Sequence, residues 1–543
     1  MNKQWNILIP KPNPKDDIIG SILAKRNISN PVHFLKPLES DLLPFEDLSN
    51  IKEAADMVLK AIDEGKRVHI LSDCDNDGVN SSAIILRYLR DFTTELSWSI
   101  NSGKQHGIEF QDLESYIGKY DLVIAVDSSS SSYEAQKFLV TNNIDFLCLD
   151  HHPCEIEKCS GIIVNSTLNS YKNKFLSGSG VCLKFVLYLD YLQGTTGAEE
   201  FYDLAASGII GDMMDISEAS PENRYICMKG FNSLNNPGLK AIVGDYPFTS
   251  TCVAFSISPI LNAGVRTNHG ELSAQILLKD DKKVVKKILN QLKELKEIQN
   301  IQKDKLVAEL ENEIEERGIA NDKVMGFNVK GDTQTNLTGL VANVISSKYD
   351  CLVIIVHPSE KKGLLRGSIR GNCIDNFKQL ILDTRLSVYC MGHFGAAGIG
   401  VYESRWNQLI TTLNKNLEDV ELKITSQVDI ILKPSDITTK LIKKLEYVNI
   451  ISGTGFKPIN ILIEGLEPEN ISTMKLLHSK FEADGMEFIQ WHSDLSDQLK
   501  CDKGIYKTID VVSTVGIGNF RGKKSRQAII QDYRIESHLE FFR

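Results

Sequence analysis

Five carboxylates and two imidazoles stand at the ends of three short apolar runs. Residues 67–72 (RVHILS) lead into Asp73-Cys74-Asp75-Asn76-Asp77-Gly78, residues 119–126 (KYDLVIAV) into Asp127, and residues 144–149 (IDFLCL) into Asp150-His151-His152. Carboxylates brought together raise one another's pKa and repel unless a cation neutralises them, and oxygen donors mixed with imidazole suit Mn²⁺ or Mg²⁺. Taken singly, each piece has a plainer explanation: the Asp-rich turn as a solvated loop or helix cap, Asp127 as an isolated strand end, the His pair as packing. The same ligand chemistry at three run ends is what singles out a metal site. Asp212, closing the run Leu204 to Ile210, is a further ligand candidate, with Asp215 as its competitor. A zinc site built on Cys154 and Cys159 lacks the usual close cysteine pair. The loop Ser177-Gly178-Ser179-Gly180-Val181, followed by Lys184, offers either backbone N–H groups to a phosphate or simply a tight turn.

The three runs are too apolar for half-exposed strands, and helix-like stretches such as 81–90 (SSAIILRYLR) separate them. That pattern predicts a parallel, helix-covered sheet, whose strands present their carboxyl ends along one edge where ligands bind. Before it, residues 48–64 carry apolar positions at helical spacing and end at Gly65, as a C-terminal cap would. From Asp280 to Arg317 a charged segment with an apolar stripe predicts a long amphipathic helix between domains. A second α/β region follows from Val324, and from Glu418 strand-like runs alternate with Pro and Gly turns. The expected fold class is therefore α/β. Its divisions are an extended lead-in (1–45), a parallel-sheet domain (46–240), a helical connection (241–323), a second α/β domain (324–417) and a β-rich domain (418–543).

Composition narrows the functional classes. The 543 residues include 61 basic and 71 acidic side chains, a net charge of −10, so no uniformly basic surface coats a polyanion and any nucleic-acid contact must be local. Apolar runs fall far short of the ~20 residues that span a bilayer, and the start MNKQWNILIPKPNPKDD has no signal-peptide core. Eleven cysteines without a CxxC pair fit reduced thiols, and the expected location is the cytoplasm, away from membranes.

The acidic set, in this order, resembles the DHH phosphoesterases, named for the triplet that Asp150-His151-His152 matches. Asn262-Ala-Gly-Val-Arg266, Gly367-Ser-Ile-Arg370 and Gly392-His-Phe-Gly-Ala-Ala-Gly398 are similar to motifs of the RecJ branch, the single-strand-specific 5′→3′ DNA exonucleases, and so are Phe34-Leu-Lys-Pro37 and Asn519-Phe-Arg-Gly522. Met391, Gly371, the serines after Asp127 and the Met pair after Asp212 depart from the family pattern without removing a ligand, as in a divergent member.

The resemblance implies a DHH catalytic domain, a DHH-associated substrate-binding domain and an OB-like C-terminal domain. It implies a hydrolase releasing 5′-mononucleotides from single-stranded DNA in recombination or repair, with two Mn²⁺ or Mg²⁺ ions. Asp73, Asp75 and Asp77 would hold the first ion, His151 and Asp212 the second, and Asp127 would bridge them. Asp150 and His152 would orient ligands or meet the phosphate, while Asn262, Arg266, Ser368, Arg370, Gly392 and His393 would bind the strand. A helicase or single-strand-binding protein is the implied protein partner of a monomer. Two rivals stand beside this reading: a phosphodiesterase for short oligonucleotides or cyclic dinucleotides, and a non-catalytic replication scaffold. The ~120 residues beyond the second α/β region, enough for a further domain, favour a polymer over the small substrate, and the full ligand set argues against the scaffold.

Overall fold

Five parallel strands form the sheet that positions the acidic residues. In order they are Leu96–Ile100, Val68–Ser72, Leu122–Val126, Asp145–Asp150 and Ile162–Asn165. A computed structural model describes the chain except residues 1–3, 13–16, 102–106, 109, 331, 372, 375, 394, 423–424, 475–477, 492, 501–504, 521–522 and 540–543. Val68–Ser72 and Leu122–Val126 are buried at every position, because both faces of the sheet are covered. Leu122, Ile124 and Val126 enter a core shared with the helices Asn76–Leu89, Gly178–Gln193 and Tyr202–Gly211. The alternate residues Val123 and Ala125 enter the opposite core, against the helix Tyr133–Thr141. Two-sided burial explains why these strands read as unbroken apolar runs. The outer strands Leu96–Ile100 and Ile162–Asn165 escape such a reading: the first is half-buried and alternates apolar with polar residues, and the second is only four residues long.

The apolar run before Asp212 is a helix, Tyr202–Gly211, and not a strand. Its residues 202–210 are buried all round, which erases helical periodicity from the sequence.

A helix of 36 residues, Lys282–Arg317, leaves this unit. Asp281 caps its start by accepting from the backbone N–H groups of Lys283 and Val284, and Gly318 ends it at φ 65°. Val285, Ile288, Leu289 and Leu292 lie in the first core, whereas Leu306, Leu310 and Ile314 lie in the core of the second α/β unit. That unit's sheet runs Ser387–His393, Ala396–Tyr402, Leu364–Arg370, Leu352–Pro358, Val324–Asn328, antiparallel except for the last pair.

The C-terminal region is β-rich, as expected, but its eight-stranded sheet includes the chain's first strand. Gln4–Ile9 pairs in parallel with Thr425–Ile431. The expected separate lead-in is corrected accordingly: Ile19, Ile22, Leu23 and Phe34 fill the C-terminal core, and the Arg26 guanidinium holds buried Asp429 with two bonds of 2.7 Å. Among the described residues no helix is long and apolar enough to cross a membrane.

Candidate metal centre

Asp75 starts the construction. Its carboxylate caps the helix Asn76–Leu89, accepting from the backbone N–H groups of Asp77 (3.0 Å) and Gly78 (3.1 Å). Asp77 therefore sits in the first helical turn, turned toward the neighbouring helices, where Ser177 Oγ (3.0 Å) and Ser179 N (3.2 Å) donate to its Oδ1. The Ser177–Gly180 loop thus spends its donors on a carboxylate and offers no phosphate cradle. Lys184 is also withdrawn, buried at 2.9 Å from Glu222.

Asp127 follows its strand with φ 58°. This left-handed backbone is tolerated better by Asp and Asn than by most residues, and such conformations gather at functional sites. Gly178 makes the close approach possible: a Cβ there would stand 2.4 Å from Asp127 Oδ1 and 2.6 Å from its Cβ. Asp150 is spent differently, since Ser130 N bonds Oδ2 (3.1 Å) while His151 N (2.7 Å) and His152 Nδ1 (2.8 Å) bond Oδ1. Both oxygens are occupied, and of the two imidazoles it is the His152 ring whose direction Asp150 fixes.

Three ligand groups result, each with donor atoms within 4.8 Å of one another: Asp73, Asp75 and Asp127; Asp77, His151 and Asp212; and Asp127, Asp150, His151 and His152. Asp77 thereby joins His151 and Asp212, where the motif order had put it with Asp73 and Asp75. Asp215 is turned away, accepting from Ser217 Oγ (2.7 Å) and Ser220 Oγ (2.6 Å). Among the described residues no cysteine enters these groups.

Electrostatics give the cluster its chemistry. Burial, then the charges of Asp77, Asp75, Asp73 and Asp212, push the Asp127 carboxyl well above its usual range. Asp212 moves the same way, through burial and then Asp77 and Asp75. Burial and the nearby His152 lower His151, which favours a neutral, ligating imidazole. Burial also works to lower His152, but the hydrogen bond and charge of Asp150 prevail and raise it to about 9. For Asp150, burial opposes ionisation, yet the His152 hydrogen bond and the His152 and His151 charges hold the carboxyl below the usual range.

Whether a divalent cation fits can be judged from the polar atoms left over. Asp77 Oδ2, Asp127 Oδ1, Asp212 Oδ2 and His151 Nε2 are buried without a hydrogen-bond partner among the described residues. His151 Nε2 lies 3.2 Å from Asp127 Oδ1 and 3.4 Å from Asp212 Oδ2. Buried carboxylates converging on an imidazole are what a hard divalent ion satisfies. Gly178→Ala should displace Asp127 and weaken Mn²⁺ binding by ~10–100-fold, the usual cost of disturbing a ligand's support. Calorimetric titration with Mn²⁺ checks this; wild-type affinity would mean that Asp127 does not depend on the close approach.

The expected strand-binding residues stand on the helix Ser258–Arg266 and on the strands Leu364–Arg370 and Ser387–His393 of the second α/β unit. Arg266 ends the helix Ser258–Arg266, and its carbonyl accepts from Asn336 Nδ2 (3.2 Å) of the second α/β unit. Arg370 ends the strand Leu364–Arg370, close over the helix Thr338–Tyr349: a Cβ at Gly339 would meet Arg370 Nη2 at 2.7 Å. Ser368 Oγ and Thr338 Oγ1 lie 2.9 Å apart. Burial, then the Arg370 charge, lower Arg266, while Asp75 works the other way. The Arg266 guanidinium therefore lies within electrostatic reach of both Arg370 and Asp75. Asn262 Oδ1 is buried without a partner among the described residues. Gly392, at φ 146°, permits close strand pairing, since a Cβ would meet Ala396 O at 2.5 Å. The side chains of His393 and Lys523, like residues Phe394, Arg521 and Gly522, lie outside the described set. Arg526 is taken up internally by the Pro434 and Ile437 carbonyls.

With this geometry in hand, residues 67–209 match the N-terminal domain of the DHH family. Over this stretch the chain is similar to that domain. It is homologous along its length to a protein provisionally named SPbeta prophage-derived single-strand DNA-specific exonuclease YorK of Bacillus subtilis (strain 168), 29% identical with 96% of both chains covered. It also matches the single-stranded-DNA-specific exonuclease RecJ of the same organism, 24% identical over 95% of this chain and 67% of that one. RecJ of Thermus thermophilus in complex with Mn²⁺ shares the fold, with a TM-score of 0.78 at 20% identity, covering 99% of this chain and 80% of that one. The same protein in complex with Mg²⁺ gives 0.71 at 19% identity, covering 98% and 78%. Within the matched stretch Asp150 accepts from the His151 backbone N–H, and His151 Nε2 has no hydrogen-bond partner among the described residues.

Proposed function

We propose that this DHH protein is a divalent-metal-dependent exonuclease that digests single-stranded DNA from the 5′ end and releases 5′-mononucleotides, serving DNA recombination or repair. The observation that carries the reading is the set of buried, unpartnered ligand atoms on Asp77, Asp127, His151 and Asp212, with Arg266 in electrostatic reach of Asp75 and Arg370. The names of its relatives support the same substrate.

In this reading Asp73, Asp75 and Asp127 hold one Mn²⁺ or Mg²⁺ and Asp77, His151 and Asp212 a second, with Asp127 shared. When bound, such ions supply an activated water at neutral pH and charge stabilisation for an in-line phosphodiester displacement. The chain's own residues do the rest. Asp150 fixes the His152 tautomer through Nδ1, leaving the half-exposed ring to face the phosphate. Arg266 and Arg370 offer bidentate donors to phosphate, and Ser368 adds a hydroxyl. A terminal phosphate carries more charge than an internal diester, so this group selects 5′ ends. Asn262 and the edge strand with Gly392 and His393 guide the strand, His393 by stacking on a base. The β-rich C-terminal region supplies an OB-like strand-binding surface, and a helicase or single-strand-binding protein delivers the strand to a monomeric enzyme in the cytoplasm.

Oligonucleotides labelled at either end, with 5′-phosphate or 5′-hydroxyl, test this. Wild type should release the 5′ label first and prefer the 5′-phosphate by about tenfold or more, the worth of one charge-assisted contact; Arg370→Ala should lose that preference. Digestion from the 3′ end, or cutting of circular strands, would reject the polarity. Hydrolysis confined to dinucleotides would favour a small-substrate phosphodiesterase.

A further inference from the structure

Asn76 stands between Asp75 and Asp77, and both ends of its side-chain amide are spent inside the protein. The residue opens the helix Asn76–Leu89 and is 2% exposed. Its Nδ2 donates to the Ser207 carbonyl at 2.8 Å, and its Oδ1 accepts from Asn80 Nδ2 at 3.1 Å. Ser207 belongs to the helix Tyr202–Gly211, whose last residue precedes Asp212. The amide therefore ties the start of one ligand-bearing helix to the last turn of another.

Two glycines let these elements meet. A Cβ at Gly211 would overlap Asn76 Nδ2, so the amide lies directly against the backbone next to Asp212. A Cβ at Gly208, about one turn earlier on the same face, would overlap Asp77 Oδ1 and Ser179 Oγ. Adjacent residues of the acidic turn thus meet the end of this helix at two points. The Asp212 backbone N–H continues the same turn, donating to the Gly208 carbonyl at 2.8 Å. Asp212 Oδ2 is buried without a hydrogen-bond partner among the described residues and lies 3.4 Å from His151 Nε2. Where that oxygen points follows from where the helix end sits, and Asn76 holds the helix end. Asp75 takes its place differently, through the backbone N–H groups of Asp77 and Gly78, which need no side chain at position 76. A change at Asn76 should accordingly reach the group Asp77, His151 and Asp212 and spare the group Asp73, Asp75 and Asp127.

We propose that Asn76 is a positioning residue that sets Asp212 against Asp77 and His151, and so fixes the affinity of this group for its divalent ion. The role rests on the two-ion reading of the cluster given under the proposed function.

Calorimetric titration of the full chain with Mn²⁺, after treatment with chelator, separates the two groups without any turnover. Wild type should bind two ions. Asn76→Leu keeps the approximate size of the side chain and removes the donor. One of the two affinities should then fall ~10–100-fold, the usual cost of losing a ligand's support, while the other stays at the wild-type value. Strand hydrolysis by this variant should return when Mn²⁺ is raised by the same factor, a rescue that a general loss of packing would not give. Gly211→Ala, whose methyl group would displace the Asn76 amide, should lower the same affinity and serves if Asn76→Leu unfolds in chelator. Wild-type affinity for both ions in a folded variant, or an equal loss of both, would overturn the role of Asn76. Unfolding of both variants even in saturating Mn²⁺ would overturn it too, because Asn76 would then hold the fold and not one ligand. A wild type that binds a single ion or none would instead reject the two-ion reading, and this role with it.

Discussion

Asp127→Asn should lower metal-dependent strand hydrolysis by at least ~10³-fold and, in metal-free protein, raise the unfolding midpoint. Both effects have one origin. Asp127 is shared by two of the three ligand groups, so its removal disturbs the whole cluster. Without a cation the same carboxylate is buried among Asp77, Asp75, Asp73 and Asp212, which push its pKa well up. An amide in its place keeps the shape, tolerates the φ of 58° and removes the charge that burial penalises. Alanine is the poorer probe because that backbone conformation strains it. Nuclease assays at saturating Mn²⁺, with calorimetry in chelator, check both halves. More than a few per cent residual activity would reject Asp127 as a shared ligand, and a lower midpoint in chelator would reject the claim of buried charge repulsion.

The second large effect is the dependence of metal-free stability on pH. Asp127 and Asp212 have folded pKa values raised above those of the unfolded chain. Their stabilising contribution is complete below the ordinary carboxylate range and is lost as pH climbs through the raised values. His152, raised to about 9, acts in the same sense, its contribution being complete below the ordinary imidazole pKa and lost on passing about 9. His151 is lowered and opposes them only below about pH 6.5, the unperturbed imidazole value. From about pH 6.5 to about pH 9 the metal-free protein should therefore weaken, by ~1.4 kcal/mol per pH unit for each proton the folded state retains. Mn²⁺ displaces those protons, so its affinity should rise over the same interval. Thermal scans at several pH values, with chelator and with Mn²⁺, check the sign. A metal-free midpoint that is flat or rising above about pH 7 would contradict the raised carboxyls.

Much of the acidic cluster was legible because its residues stand where strands end. Runs buried on both faces lose their alternation, and an acid closing such a run is conspicuous, which is how Asp73, Asp127 and Asp150 were found. Asp212 was legible as an acid after an apolar run although that run is a helix, since full burial hides the difference between the two elements. The partition of the ligands was not legible. Asp77 parts from Asp73 and Asp75 because Asp75 caps the helix and turns the next residues into its first turn, toward Ser177 and Ser179. Nothing local marks Ser177–Gly180 as a support for two carboxylates, because its partners are set by helix packing.

What the sequence by itself determined is the set of acidic and imidazole residues that cluster and the parallel sheet that carries them, since these follow from residue type, local periodicity and chain direction. Only the tertiary structure decided which oxygens remain free for a cation and which are spent on capping or on orienting the His152 ring. It also decided that the first strand closes the C-terminal sheet more than 400 residues away, with Gln4 opposite Thr425. The reason is physical: pairing between distant segments and the direction of a side chain depend on which surfaces are buried together, and that is a property of the packed chain rather than of any stretch of it.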